Sequence, residues 1–210
     1  MNSGPRPLAV DDTAFRDNMV AAIDGDATAQ TFMGMYYYQR ADGPSLFDTD
    51  IRPTASQNAD LVAAFVWWTK AAKQGNVCAQ HNLASCYYGG LGVERCRKHA
   101  IEWMERSAAS GHVHSIFDLG VILLSDPDAD TETKQRALAL WKRAANAQFP
   151  PAQHNWAWAI LQCTHKAECF PNGVVPDRAH GLRHLKAAAA RGFAPSIGVL
   201  SEMERQTRST

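Results

Sequence analysis

Two histidines, His180 and His184, stand at i and i+4, one face of a helical turn and a spacing that suits two ligands of one metal ion. Cys163, His165 and Cys169 form a C-x-H-x3-C run that could offer three zinc ligands. Asp126, Asp128 and Asp130 alternate like the acidic positions of a calcium loop. Each constellation falls short of its chemistry. No glutamate-bearing H-E-x-x-H pattern accompanies the histidine pair, and C-x-H-x3-C is not an established zinc spacing. The acidic run has Thr131 where a calcium loop needs glycine and Ala137 where it needs glutamate. Carboxylates gathered at the start of the next helix, where the macrodipole favours them, explain that run. His112 and His114 flank a turn between helices. There is no G-x-S-x-G elbow, no distinctive cysteine nucleophile motif and no phosphate-cradling loop, since the Gly89–Val93 GGLGV run reads as a turn. The sequence therefore predicts no catalytic residue, no resident metal and no cofactor. It predicts that the protein is not an enzyme.

The element that places these residues recurs along the chain. From Ala79 to Gly111 the sequence reads as two short amphipathic helices joined by a glycine turn. Ala79, Leu83, Ala84 and Tyr87 share one helical face, and Ala100, Trp103, Ala108 and Ala109 mark the second helix, which stops at Gly111. Gly89, Gly90 and Gly92 supply the positive φ angles of the turn. Small residues let the two backbones approach, while Leu83, Tyr87 and Trp103 fill the remaining space.

The same register returns upstream and downstream. Ala29, Met33-Gly34 and Tyr37 precede Ala64, Trp67, Ala71-Ala72 and Gly75. Ser115 and Leu119-Gly120 precede the ALALWKRAANA helix from Ala137. Ala152 opens AQHNWAWAI, which leads to Gly173-Val174, Asp177, Ala188-Ala189 and Gly192. The starts Ala29, Ala79, Ser115, Ala152 and Ser196 lie 50, 36, 37 and 44 residues apart. A unit of about 36 residues with insertions in the first and fourth copies accounts for that spacing.

Ala79, Leu83, Tyr87, Gly90, Gly92-Val93, Ala100, Trp103, Ala108 and Gly111 resemble the Sel1-like repeat, a relative of the tetratricopeptide repeat. Ala84 replaces the family's glycine and Cys96 stands where aspartate is usual. The resemblance implies an all-α fold, a right-handed α-solenoid of stacked helix-turn-helix repeats. In that register His184 occupies the tryptophan position and is expected to be half-buried packing.

The expected organisation follows. Residues 1–10 form a loose N-terminus without the apolar run of a secretory signal, and 11–28 a capping helix over the first repeat. Repeats cover 29–78, 79–114, 115–151 and 152–195, with loop insertions at 39–59 and 162–172. Residues 196–210 form a second capping helix and a frayed tail.

Composition limits the partners. Lys+Arg and Asp+Glu are both 21, and nonspecific nucleic-acid binding needs a basic surface. No polybasic tract or apolar run of about 18 residues points to a membrane, so a soluble protein is expected. One secreted branch of the Sel1-like family is cysteine-rich, with a bridge clamping each hairpin. Here the five cysteines fall at Cys78, Cys86, Cys96, Cys163 and Cys169, and the first and third copies have none. That distribution points to free thiols and a cytoplasmic location, with a Cys163–Cys169 bridge as the alternative for that pair.

In the related tetratricopeptide arrays the first helix of each hairpin lines a concave groove, at about places 2, 6 and 9 of this register. The resemblance thus assigns partner binding to Thr31, Met35 and Tyr38; His81, Ser85 and Tyr88; Phe117, Val121 and Leu124; and His154, Trp158 and Leu161. Apolar and aromatic types dominate the set, as in a binding surface. It implies a protein or peptide partner for an adaptor or scaffold, often bacterial, and in some relatives neutralisation of a secreted toxic effector. The contrasting implication is small-molecule binding or hydrolysis, because a few cysteine-rich relatives are associated with β-lactams.

Overall fold

The computed structural model describes residues 12–43, 55–161, 167, 170 and 177–208. Regular structure among them is α-helical, and the chain divides into two compact units, Met1–His112 and Val113–Thr210.

The first unit contains α1 (Asp12–Ile23), α2 (Ala27–Arg40), α3 (Ala55–Lys73), α4 (Val77–Gly89) and α5 (Arg97–Ala109). α2 pairs with α3 and α4 with α5 as hairpins, α3 also packs on α4, and α1 covers α2. Its core is Leu61, Ala64, Trp68, Ala71, Ala79, Leu83, Cys86 and Leu91, flanked by Tyr37, Tyr38, Phe65, Tyr87 and Trp103. A second cluster places Ala22, Ala29 and Met33 against Phe15, Met19 and Tyr36. Alanines at the crossings let helix axes close up, and the large side chains fill what is left.

The second unit contains α6 (Val113–Leu124), α7 (Thr131–Asn146), α8 (Pro150–Leu161), α9 (Arg178–Ala190) and α10 (Ala194–Arg208). α6 pairs with α7 and α8 with α9; α7 also packs on α8, and α10 on α9. Ile116, Leu119, Ile122, Leu138, Trp156, Ile160, Phe170 and Leu185 are buried there.

Side-chain caps start many of these helices. Asp26, Asn76, Asp130 and Asp177 accept hydrogen bonds from the backbone N–H of Ala29, Ala79, Thr133 and His180. Three of the turns that follow a hairpin's second helix use a glycine at positive φ, Gly75, Gly111 and Gly192. Gln148 holds the same left-handed conformation in the third copy, at φ 61°, without glycine's freedom.

Several local expectations change. The insertion expected over 39–59 is shorter among the described residues, because α2 runs to Arg40 and α3 starts at Ala55. Its two ends are tied together: buried Asp60 on α3 pairs with the Arg40 guanidinium at 2.8 Å. Gly89 is the last residue of α4, and only Gly90 and Gly92 of that turn have positive φ. At the C-terminal end of α5 the buried small residues are Ser107 and Ala108, whereas Ala109 is exposed; Ser107 donates to Val77 O of α4 at 2.9 Å. α10 continues through Arg208, into the stretch expected to fray. Residues 1–10 and most of the 162–172 insertion, including Cys163, His165 and Cys169, lie outside the described residues.

Candidate functional site

Among the described residues, the histidine pair and the acidic run are engaged in protein contacts. Trp156 Nε1 donates to His180 Nε2 at 3.5 Å, and an Arg183 guanidinium nitrogen lies 3.1 Å from His180 Nδ1. Trp156 thus takes the Nε2 lone pair of His180. His184 is half-buried with its ring 4.9 Å from that of His180, and burial, then His180 and Arg183, lower its pKa. In the acidic run, Asp130 caps α7 and its carboxyl pKa is lowered by the Thr133 hydrogen bonds. Asp126 accepts from the Asp128 N–H at 3.1 Å, a local turn. No group of three or more His, Cys, Asp or Glu side chains among the described residues could hold a metal ion. Cys78 is exposed, Cys96 half-buried and Cys86 buried; all three are free thiols, and burial pushes the Cys86 pKa up.

The first-helix positions divide by environment. In the first unit Met35 is exposed on α2. Thr31 is half-buried, donates to Ala27 O and accepts Trp68 Nε1–H at 3.3 Å through its carbonyl. Tyr38 lies against Trp68 with ring centroids 5.5 Å apart, and burial raises its phenol pKa to about 12. His81 is half-buried and meets His112 edge-on at 5.1 Å. Ser85 and Tyr88 are buried, which removes them from a partner-facing surface. Both α3 and α5 pack on α4, and the Ser85 hydroxyl donates to His81 O at 3.0 Å. Past the Gly90–Gly92 turn the chain folds back so that Arg95 lies over the Tyr88 ring.

In the second unit Phe117, Val121, Leu124, His154 and Leu161 are half-buried and Trp158 is exposed. Phe117 packs on Phe149 and on Trp141. Leu161 belongs to the hairpin interior: it closes on Gly181 of α9, where a Cβ would stand only 3.1 Å from its Cγ. His154 is held by three neighbours. Its Nδ1 lies 2.9 Å from Ser196 Oγ, Trp158 stacks at 18° to its ring, and Phe193 sits 5.5 Å away. Burial lowers its pKa.

His154 and Trp158 are brought together with residues the register did not single out. Trp141 of α7, Asn155 and Ala159 of α8, and Pro195 and Val199 of α10 join them around a mainly apolar cleft of about 520 Å³. A recurring contact could have pointed there. Place 2 meets a ring from the next inter-hairpin turn three times: His81 with His112, Phe117 with Phe149, and His154 with Phe193. The aromatic residue immediately after the turn position in the last three copies, His112, Phe149 and Phe193, was the available signal.

The Sel1 repeat pattern matches residues 27–45, 55–76, 79–112, 114–149 and 150–193, which is most of the chain. The chain belongs to the Sel1 repeat family. Proteins of this family generally act as scaffolds for protein–protein interaction. The chitin synthase regulator SKT5 of Saccharomyces cerevisiae is 24% identical over 143 residues, 67% of this chain. The match spans only 20% of that relative's length. A Sel1 repeat protein from Oxalobacter formigenes superposes with a TM-score of 0.72 at 23% identity, over 91% of this chain and 69% of the other. The protective antigen c5321 of uropathogenic Escherichia coli gives 0.57, also at 23% identity, over 88% and 42%. These likenesses establish the helical-repeat solenoid as the fold class. Among the described residues no helix is long and apolar enough to cross a membrane.

Proposed function

We propose that this Sel1 repeat protein is a non-enzymatic interaction module that takes a protein or peptide partner on the first-helix face of its second unit. The observation that carries this reading is Trp158, 39% exposed on α8 at the edge of an apolar cleft. An exposed indole beside a concavity is the kind of anchor on which interface energy concentrates. Such an anchor works by burial against a partner and needs no nucleophile or metal. Within this reading the protein acts in the cytoplasm of a bacterium as an adaptor, and an immunity-type inhibitor of a toxic effector is the specific role we favour.

Affinity capture from source cells with wild type and Trp158→Ala, followed by reconstitution from purified components, tests the reading. A partner that reassembles with wild type and loses at least tenfold affinity with the variant supports it. Equal affinity for both moves the binding surface elsewhere. For the immunity role, coexpression must relieve the growth defect caused by the purified partner's gene; persistent toxicity rejects that role alone.

A further inference from the structure

Trp141, His154, Asn155, Trp158, Pro195 and Val199 border the cleft of the second unit, and none of them brings a carboxylate, ammonium or guanidinium group. His154, the one titratable side chain on that border, has its charged form disfavoured by burial. A charged guest would lose water there and meet no counter-charge among the described lining residues, which is costly. An uncharged guest matches the wall. Two indoles and an imidazole supply flat π surface, for which an aromatic guest has the right shape and polarisability. Asn155 adds a carboxamide, with donors and an acceptor that mirror those of a peptide bond. A volume of about 520 Å³ exceeds what one ring needs and suits a ring with the backbone on either side of it.

The geometry points to recognition of an extended peptide segment through one uncharged aromatic side chain, Trp, Phe or Tyr, seated beside Trp158, with no charged residue immediately next to it. This rests on the interaction-module reading and deepens it by naming the chemistry of the anchor.

The test uses the full-length protein and two blocked tripeptides, acetyl-Ala-Trp-Ala-amide and acetyl-Asp-Trp-Asp-amide, titrated by two-dimensional NMR. Saturable shifts of the Trp158, Trp141 and Val199 signals by the neutral peptide, with at least tenfold weaker binding of the acidic one, are expected. Trp158→Ala should lose the effect. Val199→Phe, which fills the cleft with an apolar ring, should block the peptide even if the Trp158 variant were poorly folded. Absence of saturable shifts, or equal affinity for both peptides, overturns the inference. If the neutral peptide fails but Trp158-dependent partner capture persists, the anchor chemistry is wrong while the interaction-module reading stands. If capture is insensitive to Trp158 as well, both fall.

Discussion

Two hairpins use the same device and spend it differently. In α2–α3 the Trp68 ring lies over Gly34, and in α6–α7 the Trp141 ring lies over Gly120, the equivalent place of the repeat. A Cβ at Gly120 would stand 2.7 Å from Trp141, and one at Gly34 would collide with the Trp68 ring. Where the first helix has Ala84 or Ala157 instead of glycine, the matching residues on the second helix are Met104 and Leu185. All four of those side chains are buried, so the size of one residue is offset by the size of the other. The two tryptophans then diverge. Trp68 is fully buried, covered by Tyr38 and hydrogen-bonded to Thr31 O. Trp141 is only half-buried, has no hydrogen-bond partner for its Nε1, and forms one wall of the cleft. At the place of Tyr38 the third copy has the shorter Leu124. One indole holds a core together, and its counterpart lines an open cleft.

Unfolding of single variants probes that contrast most strongly. Trp68→Ala should cost about 3–5 kcal/mol, the range for deleting a buried aromatic ring. Trp141→Ala should cost about half as much in the same denaturant titration. Equal losses would mean that Trp141 is as much a core residue as Trp68. Next in size, Gly34→Ala should destabilise by about 1–3 kcal/mol through overpacking, despite the better helix propensity of alanine. Adding Trp68→Met, which recreates the Ala84–Met104 pairing, should recover at least about 1 kcal/mol relative to additivity. Strict additivity would break the size-matching account.

Smaller effects concern the second unit. His154 and His184 have pKa values lowered in the fold, so both are favoured as neutral imidazoles. The unfolded chain takes up protons first, at its ordinary value of about 6.5. Stability is therefore fully present above about pH 6.5 and declines as the pH falls below it. Melting curves of His154→Gln between pH 7.5 and 5 should slope less than those of wild type. A parallel slope would remove His154 from the account. Smallest of all, Gln148→Gly should raise the melting temperature by a degree or two. It relieves a left-handed φ, but part of the gain is offset because Gln148 contacts Arg191 through its side chain. No change, or a fall, would mean that the Arg191 contact outweighs the backbone strain.

The repeat was legible because its signal is periodic: small residues, a place-4 Leu or Met and a turn glycine recur in register, as Leu83, Met33 and Leu119 illustrate. The tryptophan on which packing depends was less visible. Trp67 fits the family place, yet the ring that fills the hairpin is its neighbour Trp68, while Trp67 stays half-buried under Lys70. One residue along a helix is a rotation of about 100°, so register alone decides which of two adjacent rings points inward. The lining of the cleft was partly legible for the same reason. Trp158 and His154 do line a concavity, whereas Ser85 and Tyr88 are buried, Tyr88 beneath Arg95 of the turn, and Leu161 closes on Gly181. Helical spacing gives the face of one helix but not how many neighbours cover it. Trp141, Pro195 and Val199 escaped because they come from a second helix and from a helix expected only to cap.

Hydrogen exchange of the full-length protein, with and without its reconstituted partner, tests the central claim most directly. The account predicts that added protection is greatest in α8 and the first turns of α10, residues 150–161 and 194–200. Protection centred on the first unit, with α8 and α10 unchanged, would contradict it.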